Sequence, residues 1–194
     1  MKKYIRLVIL LACSNSLPVF AAESFDTQKS TQNVLQDQPK RSESSIVQLN
    51  QLDAPVLSNA ALLQWASDAA ILAHTYDFAN YREKFQAASK YFTAEAWREY
   101  QDVLKKSKNL ETVVNKKLKV SAVATAAPVI LDQGAVSGRY KWKVQLPILI
   151  TYESVNTKIT QPAEATMLIT RVSASEAPKG IVVESIYMSE PPTR

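Results

Sequence analysis

The chain contains a single histidine, and the residues around it are the first candidates for a chemical site. His74 opens the stretch "HTYDFANYREKFQAASKYFTAEAWREY", which also holds eight of the 16 aromatic residues. A serine hydrolase triad or a zinc site made of imidazoles needs one or more histidines placed beside its other members. His74 falls one residue off the apolar stripe of a predicted helix. We therefore expect it to be a partly buried structural residue rather than a ligand.

A second candidate is an acid–base pair formed by a carboxylate and a tyrosine. Asp77 lies beside Tyr76 and near Tyr81, and such pairs can work in the apolar interior of a cone of helices and sheet. Aspartate is also favoured at a helix break because it caps free backbone N–H groups. The sequence has no H-E-x-x-H, G-x-S-x-G, Walker or dinucleotide-binding motif. We predict that the protein is not an enzyme and has no metal or cofactor.

The third candidate is a ladder of cations, Arg139, Lys141 and Lys143, which alternates with Tyr140 and Trp142. In a strand this alternation puts the charges and the rings on opposite faces. A nucleic-acid platform needs both on the same face. The ladder is then either a solvated strand face that discourages edge pairing or a patch that contacts a protein partner. We take the three cations as candidate contact residues and expect no nucleic-acid partner.

The N-terminus, "MKKYIRLVILLACSNSLPVFAAES", combines a basic start, a short apolar run and a small-x-small pattern ending at Ala21. This pattern predicts a secretory signal peptide over residues 1–21, cleaved between Ala21 and Ala22, and hence a periplasmic protein. The apolar run is too short for a membrane-spanning helix. The alternative is a membrane-anchored lipoprotein modified at Cys13, which follows Leu-Leu-Ala.

Cleavage after Ala21 changes two bulk properties. The formal net charge of +5 falls by the three charges of Lys2, Lys3 and Arg6, to +2, which is too small to indicate a nucleic-acid or membrane-surface partner. The only cysteine is also lost, so the fold must be stable without a disulfide. Residues 22–55 are polar with no sustained apolar period and predict a flexible tether. Residues 56–190 form the predicted domain, and residues 191–194 a tail.

Helical periodicity begins after Ser58, a plausible N-cap. Two apolar stripes with 3,4 spacing follow in different registers, and Asp77 and Asn80 mark a break between them. Thr93 can cap a third helix, and a short helix is predicted over residues 110–114. The stripe positions are Leu62, Trp65, Ala69, Leu72 and Tyr76, then Phe78, Tyr81, Phe85, Ala88 and Phe92, then Trp97, Tyr100 and Leu104.

Period-two alternation replaces the helical pattern after Asn115 and predicts four strands, over residues 117–131, 139–154, 163–173 and 181–188. The predicted turns lie at residues 132–134, 156–157 and 178–180, and Pro147 predicts a bulge or bend in the second strand. Helices followed by an antiparallel meander indicate an α+β fold in which the helices pack on one face of a curved four-stranded sheet.

Residues 52–188 carry an ordered set of motifs that resembles the IcmL/DotI family of type IVB secretion systems, related to the conjugation protein TraM. The shared marks are Trp65-Ala66, the Tyr-Asp-Phe-x-Asn-Tyr-Arg run at 76–82, Phe-Thr-x-x-x-Trp at 92–97, Leu-x-x-Ser-x-x-Leu at 104–110, Trp-x-Val-Gln-x-Pro at 142–147, Tyr152 and Arg171. Two features depart from the family. A cleavable signal is predicted where family members have a membrane-spanning helix, and Ala96 stands where a glycine is expected.

The resemblance implies a cone-like periplasmic fold, as in the inner-membrane scaffold subunit of type IVA machines. It also implies a non-enzymatic, self-associating part of an envelope-spanning complex that moves proteins or DNA. We therefore interpret the chain as an exported structural or accessory component whose partners are other secretion-system subunits and like subunits. The alternative is a periplasmic module that binds a small apolar ligand in the cone between helices and sheet.

Overall fold

The computed structural model describes residues 51–191. The predicted signal peptide, the cleavage site between Ala21 and Ala22, Cys13 and most of the predicted tether lie outside these residues. Within residues 51–191, no helix is both long enough and apolar enough to cross a membrane.

Within residues 51–191, four helices make one layer: α1 Asn59–Ala73, α2 Tyr81–Ser89, α3 Ala94–Lys106 and α4 Asn109–Asn115. The predicted N-caps of α1 and α3 are confirmed. Ser58 Oγ accepts a hydrogen bond from Ala61 N at 3.3 Å, and Thr93 Oγ1 accepts one from Ala96 N at 3.1 Å. Each cap satisfies an N–H group that has no partner inside the helix.

The predicted break between the first two helices is also confirmed. Asp77 Oδ1 accepts hydrogen bonds from the N–H groups of Ala79 and Asn80, at 2.8 and 2.9 Å. The helical assignment was wrong at two stripe positions. Tyr76 forms the two-residue strand β1, Tyr76–Asp77, and is still buried at 4% exposure, whereas Phe78 lies in a turn and is 41% exposed.

The other layer is a curled antiparallel sheet, so the predicted α+β architecture is confirmed. Its further strands are β2 Lys119–Ala124, β3 Val129–Val136, β4 Arg139–Ser154, β5 Thr157–Arg171 and β6 Ile181–Ser189. The order is β1-β2-β4-β5-β6, and β3 also pairs with β4. The described residues form six strands rather than the predicted four, because the first predicted strand divides into β2 and β3 and because the short β1 joins the edge of the sheet. β3 pairs with residues 139–145 of β4, and β2 pairs with residues 148–153.

The predicted turn at residues 132–134 was wrong. Asp132, Gln133 and Gly134 pair with Lys143, Trp142 and Lys141 inside the β3–β4 ladder. The turn lies at Ser137-Gly138, where φ is 51° and 75°. Two successive positive φ angles make the type I′ geometry that matches strand twist in a two-residue hairpin. The β4–β5 turn lies at residues 155–156, one residue earlier than predicted.

Pro147 does not interrupt β4, contrary to the prediction. It pairs with Glu164 of β5, and its carbonyl accepts a hydrogen bond from Thr125 N at 2.9 Å. The N–H and C=O of one strand residue point toward the same neighbouring strand. The proline nitrogen therefore points, like its carbonyl, to the edge where β2 ends and β3 begins. No ladder hydrogen bond is lost there, and the strand continues.

The core fills the space between the two layers. Alternate residues of β4 point toward the helices, and the helices contribute mainly aromatic and small apolar side chains. The apolar side chains with less than 2% exposure include Leu62, Val113, Val120, Trp142, Val144, Leu146, Ile148, Met167, Ile169, Ile181 and Val183.

Candidate functional site

The predicted cation ladder lies on the face of the sheet opposite the helices, because Trp142 and Val144 between its members are buried in the core. Arg139 and Lys141 line a surface groove of about 530 Å³ between the outer face of the sheet and the N-terminal end of α3. Lys143 is exposed. The groove is lined by Phe92, Thr93, Ala94, Glu95, Arg139, Lys141, Thr170, Val172, Glu176, Val182 and Glu184.

The three cations are not equivalent. Lys141 Nζ forms a salt bridge with Glu184 Oε2 at 2.8 Å, and these two side chains are 23% and 37% exposed. Arg139 Nη1 donates to the carbonyl oxygen of Arg171 at 3.5 Å. Among residues 51–191, neither Arg139 nor Lys143 forms an ion pair. Arg139 and Lys143 are therefore the two cations of the ladder whose charge no carboxylate of the described residues neutralises, so they can attract an acidic group of a partner.

Arg171 ties the beginning of the described chain to the sheet. Its buried guanidinium donates from Nε to Ala54 O at 3.1 Å and from Nη2 to Gln51 O at 3.0 Å. Its Nη1 donates to Gly180 O at 2.8 Å and to Val172 O at 3.2 Å. Burial lowers the pKa of Arg171, but an arginine keeps its charge near neutral pH. Residues 51–54 thus belong to the folded unit, earlier than the predicted boundary at residue 56.

His74 has a structural environment at the C-terminal end of α1. It is 7% exposed, and its Nδ1 donates to Ala70 O at 2.8 Å. Its ring packs edge-on against Tyr100, with the centroids 5.6 Å apart. Burial lowers the pKa of His74 more than the hydrogen bond to Ala70 raises it. The imidazole is therefore held neutral. Its contacts with Ala70 and Tyr100 pack it against the C-terminal end of the helix.

The candidate acid–base pair is not brought together. The Asp77 carboxylate caps backbone N–H groups, whereas the Tyr76 hydroxyl donates to Asn109 Oδ1 at 3.0 Å. Asn109 in turn donates from Nδ2 to the Tyr152 hydroxyl at 2.9 Å. Burial raises the pKa of both tyrosines above the ordinary value, so both stay protonated. These groups join α4, β1 and β4 as a buried polar network.

A second surface groove, of about 310 Å³, lies between α2 and α3. We call it the helix groove. Rings and aliphatic side chains form most of its wall, and its two charged lining residues, Arg82 and Lys105, are both cations. No motif in the sequence pointed to it, because its rings follow the same 3,4 pattern as core residues. It is lined by Tyr81, Arg82, Phe85, Gln86, Trp97, Gln101, Leu104, Lys105 and Leu110.

Among the residues that the structure describes, no three side chains of histidine, cysteine, aspartate or glutamate lie close enough together to hold a metal ion.

The chain matches a family described as the inner-membrane complex component of the type IVb secretion system, over residues 39–190. It is similar to the periplasmic domain of DotI, with 50% identity, coverage of 70% of this chain and 97% of that chain, and a TM-score of 0.68. It is also similar to an IcmL-like type IV secretion system protein from Legionella pneumophila, with 28% identity, coverage of 71% and 98%, and a TM-score of 0.63. For a periplasmic fragment of TraM the values are 26%, 69% and 98%, and 0.64. A comparison with curated protein sequences found no significant match.

Proposed function

Since the chain belongs to the family of type IVb secretion-system inner-membrane complex components, we propose that it works as an exported structural or accessory subunit of such an apparatus. In this role it acts in the periplasm through protein–protein contacts and not through catalysis. The observation that carries the proposal is the 50% identity to the periplasmic domain of DotI, which covers 97% of that domain.

The chemistry of the described residues agrees with a role in binding. Three buried side chains that could titrate form structural hydrogen bonds: His74 to Ala70, Tyr76 to Asn109 and Tyr100 to Ala73. The space between helices and sheet is filled by core side chains, and the two grooves lie on the surface. These features favour contact surfaces over the alternative of a small apolar ligand held inside the cone.

We propose Arg139 and Lys143 as the main contact residues for a partner subunit. Lys141, which lies between them in the ladder, has a secondary role. Lys141 is held by Glu184 and is less available than its neighbours. Replacing Arg139 and Lys143 by glutamate should weaken capture of the partner and leave the fold intact. Lys116→Glu combined with Lys117→Glu, at two exposed lysines that follow α4, makes the same change in charge and is the matched control.

For localisation, we propose export through a signal peptide cleaved between Ala21 and Ala22, followed by the tether predicted from the sequence. The intact mass of the protein from its own cells tests this. A chain beginning at Ala22 supports the proposal, and a diacylglycerol adduct on Cys13 would place the protein in a membrane leaflet instead.

The main test is affinity isolation of the tagged full chain from its own cells after mild crosslinking, followed by identification of the co-isolated proteins. We expect type IV secretion-system subunits. Isolation of the chain alone, with a bound small molecule, would reject the structural role and favour the ligand-binding alternative.

A further inference from the structure

The side chains that line the helix groove have the types and the exposure of a protein-docking site rather than of a poorly filled core. Phe85 forms its floor at 6% exposure, and the rings of Tyr81 and Trp97 stand edge-on to Phe85, with centroids 6.0 and 5.8 Å away. Trp97 is only half buried, whereas the other two tryptophans are buried. Tryptophan, tyrosine and arginine, which all line this groove, are the residue types that contribute most to binding at protein interfaces.

The charged side chains that line the groove are all positive. Arg82 and Lys105 line it, and no carboxylate does. The Arg82 guanidinium lies over the Tyr81 ring, 5.2 Å from its centroid, which holds the charge at the rim. Lys105 lies 3.8 Å from Asp102, but these side chains are 72% and 52% exposed, so the ion pair is weak and Lys105 is free to exchange partners.

The dimensions limit what can bind. The α3 wall runs from Trp97 to Lys105 through Gln101, at helical spacings of four. At 1.5 Å per residue this wall is about 12 Å long, enough for about two turns of a helix or about four extended residues. The side-chain amides of Gln86 and Gln101 can hydrogen-bond such a segment. The groove therefore fits one bulky apolar side chain and the residues next to it.

We propose that the helix groove binds a short acidic, amphipathic segment of another subunit, with one apolar side chain on the Phe85–Trp97 floor and a flanking carboxylate between Arg82 and Lys105. This inference rests on the proposed function, because it takes the partner to be part of the apparatus. A contact of this size is weak alone and gains affinity from other contacts in an assembly.

The test places a photoreactive amino acid at Gln101 in the full chain and irradiates intact cells. The matched position is Glu99, exposed on the same helix and about 200° around it from residue 101. We expect a crosslink from 101 and none from 99. Peptide mapping should locate it in a segment with an aspartate or glutamate within a few residues of an apolar side chain.

Charge variants test the chemistry of the contact. Lys105→Glu should lower the yield of the 101 crosslink about fivefold or more, the order expected when an attractive charge pair becomes repulsive. Lys106→Glu makes the same change one residue away, outside the groove, and should leave the yield unchanged. Changing the partner's carboxylate to lysine should restore crosslinking to the Lys105→Glu chain. Equal thermal midpoints of the variants show that the fold is intact.

Several outcomes overturn the proposal: equal crosslinks from 101 and 99, a captured segment without carboxylates, capture of a second copy of this chain, or a yield insensitive to Lys105→Glu. The two proposals fail separately. If secretion-system subunits co-purify but position 101 captures none of them, the docking site is wrong and the function stands. If position 101 captures an acidic segment of a protein outside the apparatus, the proposed function is wrong.

Discussion

The guanidinium of Arg171 occupies the space that a side chain at position 180 would need. A Cβ placed on Gly180 would collide with Arg171 Nη1, and the Gly180 carbonyl accepts a hydrogen bond from that same nitrogen at 2.8 Å. Gly180 also has a φ of 67°, a backbone angle that residues other than glycine rarely adopt. The pair joins the end of β5, the start of β6 and the entering residues 51–54 at one point.

Arg171→Met should release the entering segment. The carbonyls of Gln51, Ala54 and Gly180 lose their charged donor, and hydrogen bonds to charged groups are each worth about 1.5–3 kcal/mol. We expect the free energy of unfolding to fall by about 3 kcal/mol or more, and hydrogen exchange in residues 51–58 to rise. Arg139→Met is the control, with one 3.5 Å hydrogen bond, and should cost under about 1 kcal/mol. Equal costs for the two variants would contradict the role of Arg171.

Gly180→Ala should cost more than Gly138→Ala. Both glycines have positive φ, 67° and 75°, but a Cβ on Gly138 meets no atom within 4 Å. Alanine at 138 therefore pays only the conformational cost, about 1–2 kcal/mol, and alanine at 180 must also displace Arg171. Chemical denaturation of both variants measures the difference. If the two substitutions cost the same, Arg171 does not pack against Gly180 in solution.

The rings of residues 74–100 should differ sharply in their contribution to stability. Phe85 is 6% exposed and contacts the rings of Tyr76, Tyr81 and Trp97, so Phe85→Ala should cost about 3–5 kcal/mol. Phe78 is 41% exposed, and Phe78→Ala should cost under about 1 kcal/mol. Urea unfolding of the two variants compares them directly. A large cost at Phe78 would mean that its exposed position is wrong.

Stability should fall on mild acidification because of His74. Burial lowers its pKa below the ordinary 6.5, so in this range the unfolded chain binds more protons than the folded one. The contribution of His74 is complete above about pH 6.5 and is lost as the pH falls from there toward the folded pKa. In His74→Phe, the change in urea midpoint between about pH 7.5 and about pH 5 should be smaller than in the unchanged chain. An identical pH dependence in both would show that His74 is not held neutral.

Local features could be predicted from the sequence because their causes are local. The caps at Ser58 and Thr93 and the break at Asp77 depend on side chains within three residues of the N–H groups that they bind. The turn of the β3–β4 hairpin was misplaced because Asp-Gln-Gly is also turn-like. The deciding factor, the register against β4, is set by long-range pairing.

The Arg171 contacts could not be predicted, since their acceptors are backbone carbonyls up to 120 positions away and any residue can supply a carbonyl. The helix groove was missed for a related reason. The spacing of Phe85 and Trp97 is the same whether the rings pack in the core or line a surface groove. The packing of α2 against α3 decides that Phe85 is buried and that Trp97 stays partly exposed.

The central claim, that the chain is a subunit of a type IVb apparatus, is tested most directly by isolating the apparatus through a tag on a different subunit. The account predicts that this chain is found in the isolated complex, and that Arg139→Glu combined with Lys143→Glu reduces its amount while Lys116→Glu combined with Lys117→Glu does not. Absence of the unchanged chain from the isolated complex, in cells where the chain is abundant, would contradict the account.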